Sequence, residues 1–391
     1  MSKIKFGFFS LHFSPSIGGA ERSMLSYFKE VSKHIDITVY CFLDENGKNF
    51  TKHTQLNVDG VRVIQTPHPI ERVVTEYVSK EQPDAIGTML LFSDPVIHLA
   101  QKYGVDVHYF AHGLFEDICQ HYLMNTCQFD DLSTCNFQNG CANSQTLIRN
   151  GDKYQKCKTI ICNSEFTKNI FSRFYRHFEE KMDVMYPYVD TSTYFYKKKN
   201  VSDKTKVLMI NSQFTKGRNV LVNLANERKD IDFHIADFKE EPLSPLSNLD
   251  NVFKYGKVSR EELRDLYHLC DVFILPTYLH ETFSMTACES IICGTPVVAS
   301  TKGNLPNIVR HGRNGLLLDS FETQDWLDAI LKAKTIRIEE EESIKYKNKY
   351  SPEEGVSKIL NLLKFKKESV KSSSQGEFSI NFERVFGEKY E

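Results

Sequence analysis

Short apolar runs alternate with polar segments of helix length along most of the chain. In the first half the runs are Ile4–Leu11, Ile37–Leu43, Val61–Gln65, Ala85–Phe92, Val105–Ala111 and Thr159–Cys162. In the second half they are Val207–Asn211, Phe233–Ala236, Val252–Tyr255, Val272–Leu275, Val297–Ala299 and Leu316–Leu318. Such nearly continuous runs are typical of strands buried on both faces of a parallel sheet. With intervening helical segments such as Ala20–Lys33 and Glu71–Glu81, they predict an α/β protein built of right-handed βαβ units.

The chain is long enough for two domains. Its 391 residues allow two separate cores, and the two halves of the pattern meet near Tyr186–Asp190, just before the charged stretch Lys197–Asn200. We therefore expect a first domain over residues 1–188 and a second over 189–345. Residues 346–391 are expected to form a C-terminal helix, which could return to the first domain, and a polar tail.

Composition excludes several classes of function. The net charge of −2 gives no basis for nucleic-acid binding. No apolar run approaches the roughly 20 residues that span a bilayer, and the apolar N-terminal run lacks a small-residue cleavage site, so a first strand fits it better than a signal peptide. Ten cysteines in a chain of this length do not indicate a secreted, disulfide-stapled domain. A cytoplasmic location is the default.

Two acidic residues, Glu281 and Glu289, lie eight positions apart between two apolar runs. The pattern predicts a buried strand, a loop with Glu281, a short helix with Glu289, a stop at Gly294–Pro296 and a second buried strand. Ligands of open α/β sheets bind beyond the carboxyl ends of the strands, where two carboxylates can hold the hydroxyls of a polyol. Alternatively, Thr286-x-x-Glu289 fits a capping box, which would make Glu289 a helix cap.

Four further residues are candidates for binding or catalysis. Gly18 and Gly19 open the first helix, where backbone N–H groups can approach an anion, although an ordinary turn explains them equally well. His112 follows a strand and should point into the crevice, unless it is a structural histidine. Lys216 follows the first strand of the second half and is placed to meet phosphate oxygens; the alternative is a solvated lysine on a turn.

These motifs resemble one family along nearly the whole chain. The matching segments of the second half are Pro187–Asp190, Lys216-Gly217, Gly256–Val258, Glu281-x7-Glu289, Gly294–Ser300, Gly303 and Gly312–Gly315. Those of the first half are Gly18-Gly19-x-Glu21, His112 and Asn163–Glu165. Together they resemble the retaining glycosyltransferases of the GT-B fold, family 4 (glycosyl transferases group 1). The resemblance implies two facing Rossmann-like domains with an interdomain cleft.

The resemblance also implies roles for individual residues. The donor would be a nucleotide sugar, UDP- or GDP-linked, held mainly by the second domain. Glu281 would contact the donor sugar and Glu289 the ribose, while His112 would approach the sugar from the first domain. The catalytic residues would be His112, Glu281 and Lys216. The donor-binding residues would be Gly18, Gly19, Asn211, Lys216, Val258, Phe283, Ser284, Met285 and Glu289.

The implied chemistry needs no cofactor. Lys216 and the backbone amides near Phe283–Met285 would bind the diphosphate and stabilise the charge that develops as it leaves. The departing phosphate would take the acceptor proton, so that neither a protein nucleophile nor a catalytic metal is required. Three positions depart from the family pattern. Asn211 stands where most relatives have arginine, Ser284 replaces a usual glycine, and Asn307 replaces a frequent glutamate. Altered donor choice or lost activity could follow.

A cysteine-rich stretch, about residues 115–158, shows no strong periodicity. We expect a structureless insertion there, either functional or mobile. Cys127-x7-Cys135-x5-Cys141 is similar to a cysteine-rich insertion of some family members, but their closing Cys-x2-Cys is absent. A structural zinc site with Cys157 or Cys119 as fourth ligand is one interpretation; unliganded thiols or a disulfide pair are the others.

Three functions are compatible with the sequence. The first is a retaining glycosyltransferase that acts on a saccharide or lipid-linked acceptor in surface polysaccharide, lipopolysaccharide or glycolipid synthesis. A lipid-linked acceptor would bring the protein to the inner face of the membrane as a peripheral protein. The second is a GT-B-fold nucleotide-sugar epimerase, which is not expected to carry both the acid pair and Lys216-Gly217. The third is a non-catalytic relative that binds a nucleotide or sugar.

Overall fold

The computed structural model describes residues 3–13, 18–44, 47–90, 93–113, 144–199, 203–237, 245–246 and 249–364. These residues form two compact units. The first contains the described residues up to Tyr188 together with the helix that starts at Pro352, and the second contains Val189–Ser351. The second unit thus extends beyond residue 345 to Ser351, and the helix that starts at Pro352 belongs to the first unit.

The first unit is an eight-stranded sheet with helices. Its strands are β1 (Lys5–His12), β2 (Asp36–Leu43), β3 (Thr54–Val58), β4 (Val61–Gln65), β5 (Ala85–Met89), β6 (Asp106–Ala111), β7 (Thr159–Cys162) and β8 (Met182–Val184). Their order in the sheet is β3-β4-β2-β1-β5-β6-β7-β8. All neighbours pair in parallel except β3 and β4. The described helices are α1 (Gly19–Val31), α2 (Ile70–Glu81), α3 (Ser93–Lys102), α4 (Ser144–Lys156), α5 (Glu165–Phe174) and α12 (Pro352–Lys364).

Aromatic packing joins the central strand of this sheet to α1 and α12. The rings of Phe8 on β1 and Phe28 on α1 meet edge to face, with centroids 4.9 Å apart. Ile359 of α12 is buried in the same core. A Cβ at Gly355 would lie 2.4 Å from the Tyr27 ring, so only glycine lets α12 approach α1 this closely. The C-terminal helix is therefore part of the first unit's core.

The second unit is a six-stranded, fully parallel sheet. Its strands are β9 (Thr205–Ile210), β10 (Ile231–Ala236), β11 (Val252–Lys254), β12 (Val272–Leu275), β13 (Val297–Ser300) and β14 (Gly315–Leu318), in the order β11-β10-β9-β12-β13-β14. Its described helices are α6 (Arg218–Glu227), α7 (Arg260–Leu269), α8 (Met285–Ile292), α9 (Leu305–Ile308), α10 (Thr323–Ala333) and α11 (Glu340–Lys349). Trp326 of α10 is fully buried in the core that α6, α10 and the sheet share.

The α/β architecture with two parallel-sheet domains is confirmed. Val61–Gln65, Thr159–Cys162 and Val272–Leu275 form strands with the predicted bounds. The sequence analysis missed β3 and β8, which lie at opposite edges of the first sheet. β3 is mostly exposed, so it shows no apolar run, and β8 has only three residues. The expectation of a structureless insertion was wrong at its end, because Ser144–Lys156 is helical.

Candidate active site

Two neighbouring parallel strands, β9 and β12, deliver the main candidate residues to one edge of the second sheet. A short 3₁₀ turn, Phe214–Lys216, follows β9, and the loop from Pro276 to Ser284 follows β12. The Tyr278 amide donates to the Thr215 carbonyl at 3.0 Å and so joins the two loops. The loops touch because Gly217 has φ 93° and no side chain; a Cβ there would lie 2.1 Å from the Pro276 oxygen.

Lys216 and Glu281 form an ion pair across these loops. The Lys216 Nζ donates to Glu281 Oε1. The two side chains are only 22% and 15% exposed, so each charge is partly shielded from water and compensates the other. The sequence predicted both residues for this crevice but assigned them to different parts of a ligand, and the structure shows them in direct contact.

The backbone of Glu281 is held by the segment after β13. Gly303 forms a parallel bridge with Glu281. The Asn304 amide donates to the Glu281 carbonyl at 2.7 Å, and the Asn304 side chain donates to the Phe283 carbonyl at 3.2 Å. Gly303 has φ 68°, and a Cβ there would lie 2.3 Å from the Glu281 oxygen. Gly303 and Asn304 therefore fix the backbone that carries the Glu281 side chain.

Glu289 lies on α8 and is buried, with 6% of its surface exposed. The Tyr267 hydroxyl contacts Glu289 Oε2 at 3.1 Å and the Thr286 carbonyl at 3.0 Å. Burial, with the neighbouring Glu289 carboxylate, raises the pKa of Tyr267 well above its usual value. The capping-box interpretation is wrong, because α8 begins at Met285 with Ser284 as N-cap and Thr286 already lies inside the helix.

The N-terminus of α8 is the candidate anion site. Ser284 is its N-cap, with φ 83° and no hydrogen bond from its side chain to the helix. The first amides of a helix have no acceptor within the helix and point outward, where they favour an anion. Phe283 is buried against the edge of the Tyr350 ring, with centroids 5.2 Å apart, which anchors the turn that leads to Met285.

The remaining candidates of this unit flank that edge. Asn211 directly follows β9, has φ 62° and donates its amide to the Ala236 carbonyl at 2.9 Å. The next residue, Ser212, donates its amide and its hydroxyl to the Asp237 carboxylate at 2.5 and 2.6 Å, and it accepts from Arg218 Nε at 2.7 Å. Val258 is half-buried and immediately precedes the N-cap of α7.

Two family models match adjacent parts of the chain. Residues 17–193 match Glycosyltransferase Family 4, and residues 190–350 match Glycosyl transferases group 1. The sucrose-phosphate synthase of Thermosynechococcus elongatus superimposes with a TM-score of 0.71 at 17% identity, over 92% of this chain and 98% of that one. Alr3699/HepE of Anabaena, in complex with UDP-glucose, superimposes with a TM-score of 0.69 at 18% identity, over 92% and 99%. Both models describe glycosyltransferases, and together they match residues 17–350 of this chain.

Curated relatives match shorter stretches of this chain. The D-inositol 3-phosphate glycosyltransferase of Arthrobacter sp. (strain FB24) is 34% identical over 132 residues, which are 30% of this chain and 31% of that protein. The protein of the same name from Corynebacterium jeikeium (strain K411) is 44% identical over 72 residues, 18% of this chain and 17% of its own. The chain thus spans less than a third of the length of these two relatives.

The first unit contributes its own candidates. Gly18 is the N-cap of α1 and Gly19 its first residue. Glu21 is buried beside them, close enough that a Cβ on Gly18 would lie 2.9 Å from its carboxylate, and burial raises its pKa. His112 directly follows β6, and its carbonyl accepts from Asn163 Nδ2 at 3.2 Å. Burial lowers the pKa of His112 to about 4, so the imidazole is neutral at neutral pH.

Sequence reasoning missed three residues that support these groups. Tyr267 contacts Glu289, Asn304 holds the Glu281 loop, and Asp237 holds the Ser212 loop. Asp237 directly follows β10, and that place at a strand carboxyl end was a usable signal. Tyr267 lies within α7 and had no signal, since its position is that of a core residue.

The zinc interpretation concerns mainly residues outside the described part of the chain, namely Cys119, Cys127, Cys135 and Cys141. Cys157 is buried, and its thiol lies 3.5 Å from the Lys153 carbonyl as a hydrogen-bond donor. The six cysteines within the described residues are all buried. Within those same residues, no group of three or more His, Cys, Asp or Glu side chains could hold a metal ion. None of the described helices is long and apolar enough to cross a membrane.

Proposed function

We propose that the chain is a retaining, metal-independent glycosyltransferase. It transfers a sugar from a UDP- or GDP-sugar to a saccharide or lipid-linked acceptor in surface polysaccharide, lipopolysaccharide or glycolipid synthesis. One observation carries the proposal: Lys216 contacts Glu281, and the Glu281 loop leads directly into the N-terminus of α8. A cation, a carboxylate and a helix N-terminus at one strand edge suit a sugar joined to a diphosphate.

The donor contacts divide between charge and hydroxyl recognition. The α8 amides and Lys216 bind the diphosphate, and the Glu281 carboxylate accepts hydrogen bonds from the sugar hydroxyls. Glu289, oriented by Tyr267, accepts from the ribose, and the backbone near Val258 borders the base. The proposal assigns the neutral His112 to the donor sugar, and Gly18 and Gly19 to the phosphate or acceptor. The solved structures of Alr3699/HepE with UDP, and with UDP-glucose, support a nucleotide-sugar donor.

Charge development explains the chemistry that Lys216 performs. Breaking the bond between the anomeric carbon and the phosphate leaves negative charge on the nucleoside diphosphate and positive character on the sugar ring. Preorganised donors that meet this charge stabilise the transition state more than the ground state. The Lys216 ammonium and the α8 amides supply positive charge at the phosphate, so the reaction as proposed needs no metal ion.

Retention requires the acceptor to attack the face that the diphosphate leaves. In the proposed mechanism the departing phosphate oxygen takes the acceptor proton, the new glycosidic bond forms on the same face, and the nucleoside diphosphate leaves. The ion pair with Lys216 supports this assignment, because it offsets part of the Glu281 charge and makes that carboxylate a weaker nucleophile. A lipid-linked acceptor would place the protein in the cytoplasm at the inner face of the membrane.

The experiment incubates the full chain with UDP-, GDP- and ADP-sugars, with and without saccharide and lipid-linked acceptors, and measures released nucleoside diphosphate. Proton NMR of the product gives the anomeric configuration, and a parallel reaction with EDTA tests the need for metal. Lys216→Met is the inactive control. Formation of a 2-epimer instead of transfer would identify an epimerase. Binding without turnover, in the presence of the acceptor panel, would make the protein a non-catalytic binder.

A further inference from the structure

The hydroxyl of Ser284 is buried without a hydrogen-bond partner. Ser284 is 8% exposed, and its Oγ has no partner among the described residues. A serine at an N-cap normally accepts a hydrogen bond from an amide of the first helical turn. Ser284 does not, because its φ of 83° and ψ of 81° lie far from the extended conformation that such caps adopt. Its hydroxyl is therefore not used to cap α8.

Nothing in the described fold of the second unit explains a serine at this position. A buried hydroxyl without a partner destabilises a protein, and the left-handed conformation is unfavourable for a residue with a Cβ. Glycine would remove both penalties, since it has no hydroxyl and adopts positive φ freely. Residues kept in unfavourable states cluster where they contact ligands.

We propose that the Ser284 hydroxyl donates a hydrogen bond to a diphosphate oxygen of the donor. This inference rests on the proposed function and adds a side-chain ligand to the α8 amides. The amides of Met285, Thr286 and Ala287 begin the helix and have no acceptor within it. A hydroxyl donor at the same helix end supplements them, and hydrogen bonds to charged oxygens are among the stronger ones.

The charge balance at this edge makes an additional neutral donor useful. Lys216 is the cation of the β9 loop closest to Glu281, and that carboxylate offsets its charge. Asn211, on the same loop, is uncharged, and Arg218 Nε is engaged by the Ser212 carbonyl. Ser284 adds a hydrogen bond to the diphosphate without adding charge to the partly buried pair.

The test compares Ser284→Ala and Ser284→Gly with wild type in the full chain. Isothermal titration with UDP and with GDP gives the Kd, and thermal unfolding without nucleotide gives the Tm. Ser290→Ala is the matched control: Ser290 lies on the same helix, is fully buried, and donates its hydroxyl to the Thr295 carbonyl at 2.8 Å. Ser284→Ala removes the hydroxyl but keeps a Cβ at positive φ, whereas Ser284→Gly removes both, so comparing the two variants separates the hydroxyl from the strain.

Wild type should bind either UDP or GDP more tightly, and both Ser284 variants should bind that nucleotide about tenfold more weakly. Their Tm should be equal to or above that of wild type. kcat/KM for the donor should fall by a similar factor. Ser290→Ala should show the reverse, a lower Tm and an unchanged Kd. Unchanged nucleotide affinity in both Ser284 variants would overturn this inference and leave the proposed function intact. Wild type that binds neither UDP nor GDP would overturn both.

Discussion

The Tyr267 hydroxyl donates to Glu289 across 3.1 Å, within a fully buried part of the second unit. This contact joins α7 to α8 and fixes which way the Glu289 carboxylate faces. A hydrogen bond to a charged carboxylate is among the stronger ones, so Tyr267 stabilises the fold and orients Glu289 at once. The contact also explains why Glu289 needs no role as a helix cap.

Tyr267→Phe should therefore weaken UDP binding several-fold and lower the free energy of unfolding by about 1–2 kcal/mol. Titration calorimetry and urea unfolding measure the two effects. Tyr346→Phe is the matched control, because Tyr346 on α11 is buried and its hydroxyl also bonds a carbonyl, that of Ile308. It should lose similar stability but keep wild-type affinity. Equal losses of affinity in both variants would show that Tyr267 acts only through stability.

Substitutions of Glu281 and Glu289 should change different kinetic constants. Glu281 contacts Lys216 and is assigned to the sugar, so Glu281→Gln should lower kcat by about 10²-fold or more, as expected for a group that acts in the transition state. Glu289 is assigned to the ribose, so Glu289→Gln should chiefly raise the donor KM and the Kd for UDP. Steady-state kinetics with the active donor measure both. The same kinetic profile for both variants would contradict the division of roles.

Gly303, which lies against the backbone of Glu281, should control the position of that residue. In Gly303→Ala, the new Cβ would meet the Glu281 backbone at 2.3 Å, and φ is 68°. Displacing a catalytic group by about 1 Å can reduce turnover about 10²-fold, so we expect a loss of that order in kcat.

Gly312→Ala provides the control for backbone strain. Gly312 has φ 79°, but a Cβ there would have no atom within 4 Å. It should lose only the roughly 1–2 kcal/mol that a left-handed residue costs and keep wild-type kcat. The chain has one tryptophan, Trp326, which is buried in the same unit, so its fluorescence follows the unfolding of both variants. Full activity in Gly303→Ala would show that Glu281 does not depend on this contact.

How far the sequence predicted the site depends on how local each signal is. Strands buried on both faces produce apolar runs, and a parallel sheet brings their carboxyl ends to one edge, so Lys216 and Glu281 could be placed at a common crevice. Their pairing could not be predicted, because it depends on the Tyr278–Thr215 and Gly303–Glu281 contacts between segments distant in sequence.

The same difference between local signals and distant contacts explains the errors in the predicted fold. The exposed edge strand β3 has alternating and polar positions rather than an apolar run, so it could not be distinguished from a loop. The capping-box motif at Thr286 was a correct pattern in the wrong register, since the helix starts two residues earlier than the box requires. The start of α8 depends on the positive φ of Ser284, and a serine in the sequence does not predict that conformation.

Two neutral histidines should make the first unit sensitive to acid. Burial lowers the pKa of His108 and of His112 from the usual 6.5 to about 4. The folded state thus resists protonation that the unfolded chain accepts. The stability is fully present above about pH 6.5 and is lost as the pH falls towards 4, by up to about 3 kcal/mol for each shift of this size.

His108→Asn tests this directly, with urea unfolding followed by far-UV circular dichroism between pH 4 and 8. His108 Nδ1 lies 2.8 Å from the Thr159 hydroxyl, and the charged groups that influence it are Asp106 and Lys158, which pair at 2.7 Å. The asparagine can keep the bond to Thr159 but cannot be protonated, so the fall in stability between pH 6.5 and 4 should be smaller than in wild type. His34→Asn, at an exposed position, should leave the wild-type pH dependence in place, since that side chain is hydrated in both states. An unaltered slope in His108→Asn would show that other groups cause the acid sensitivity.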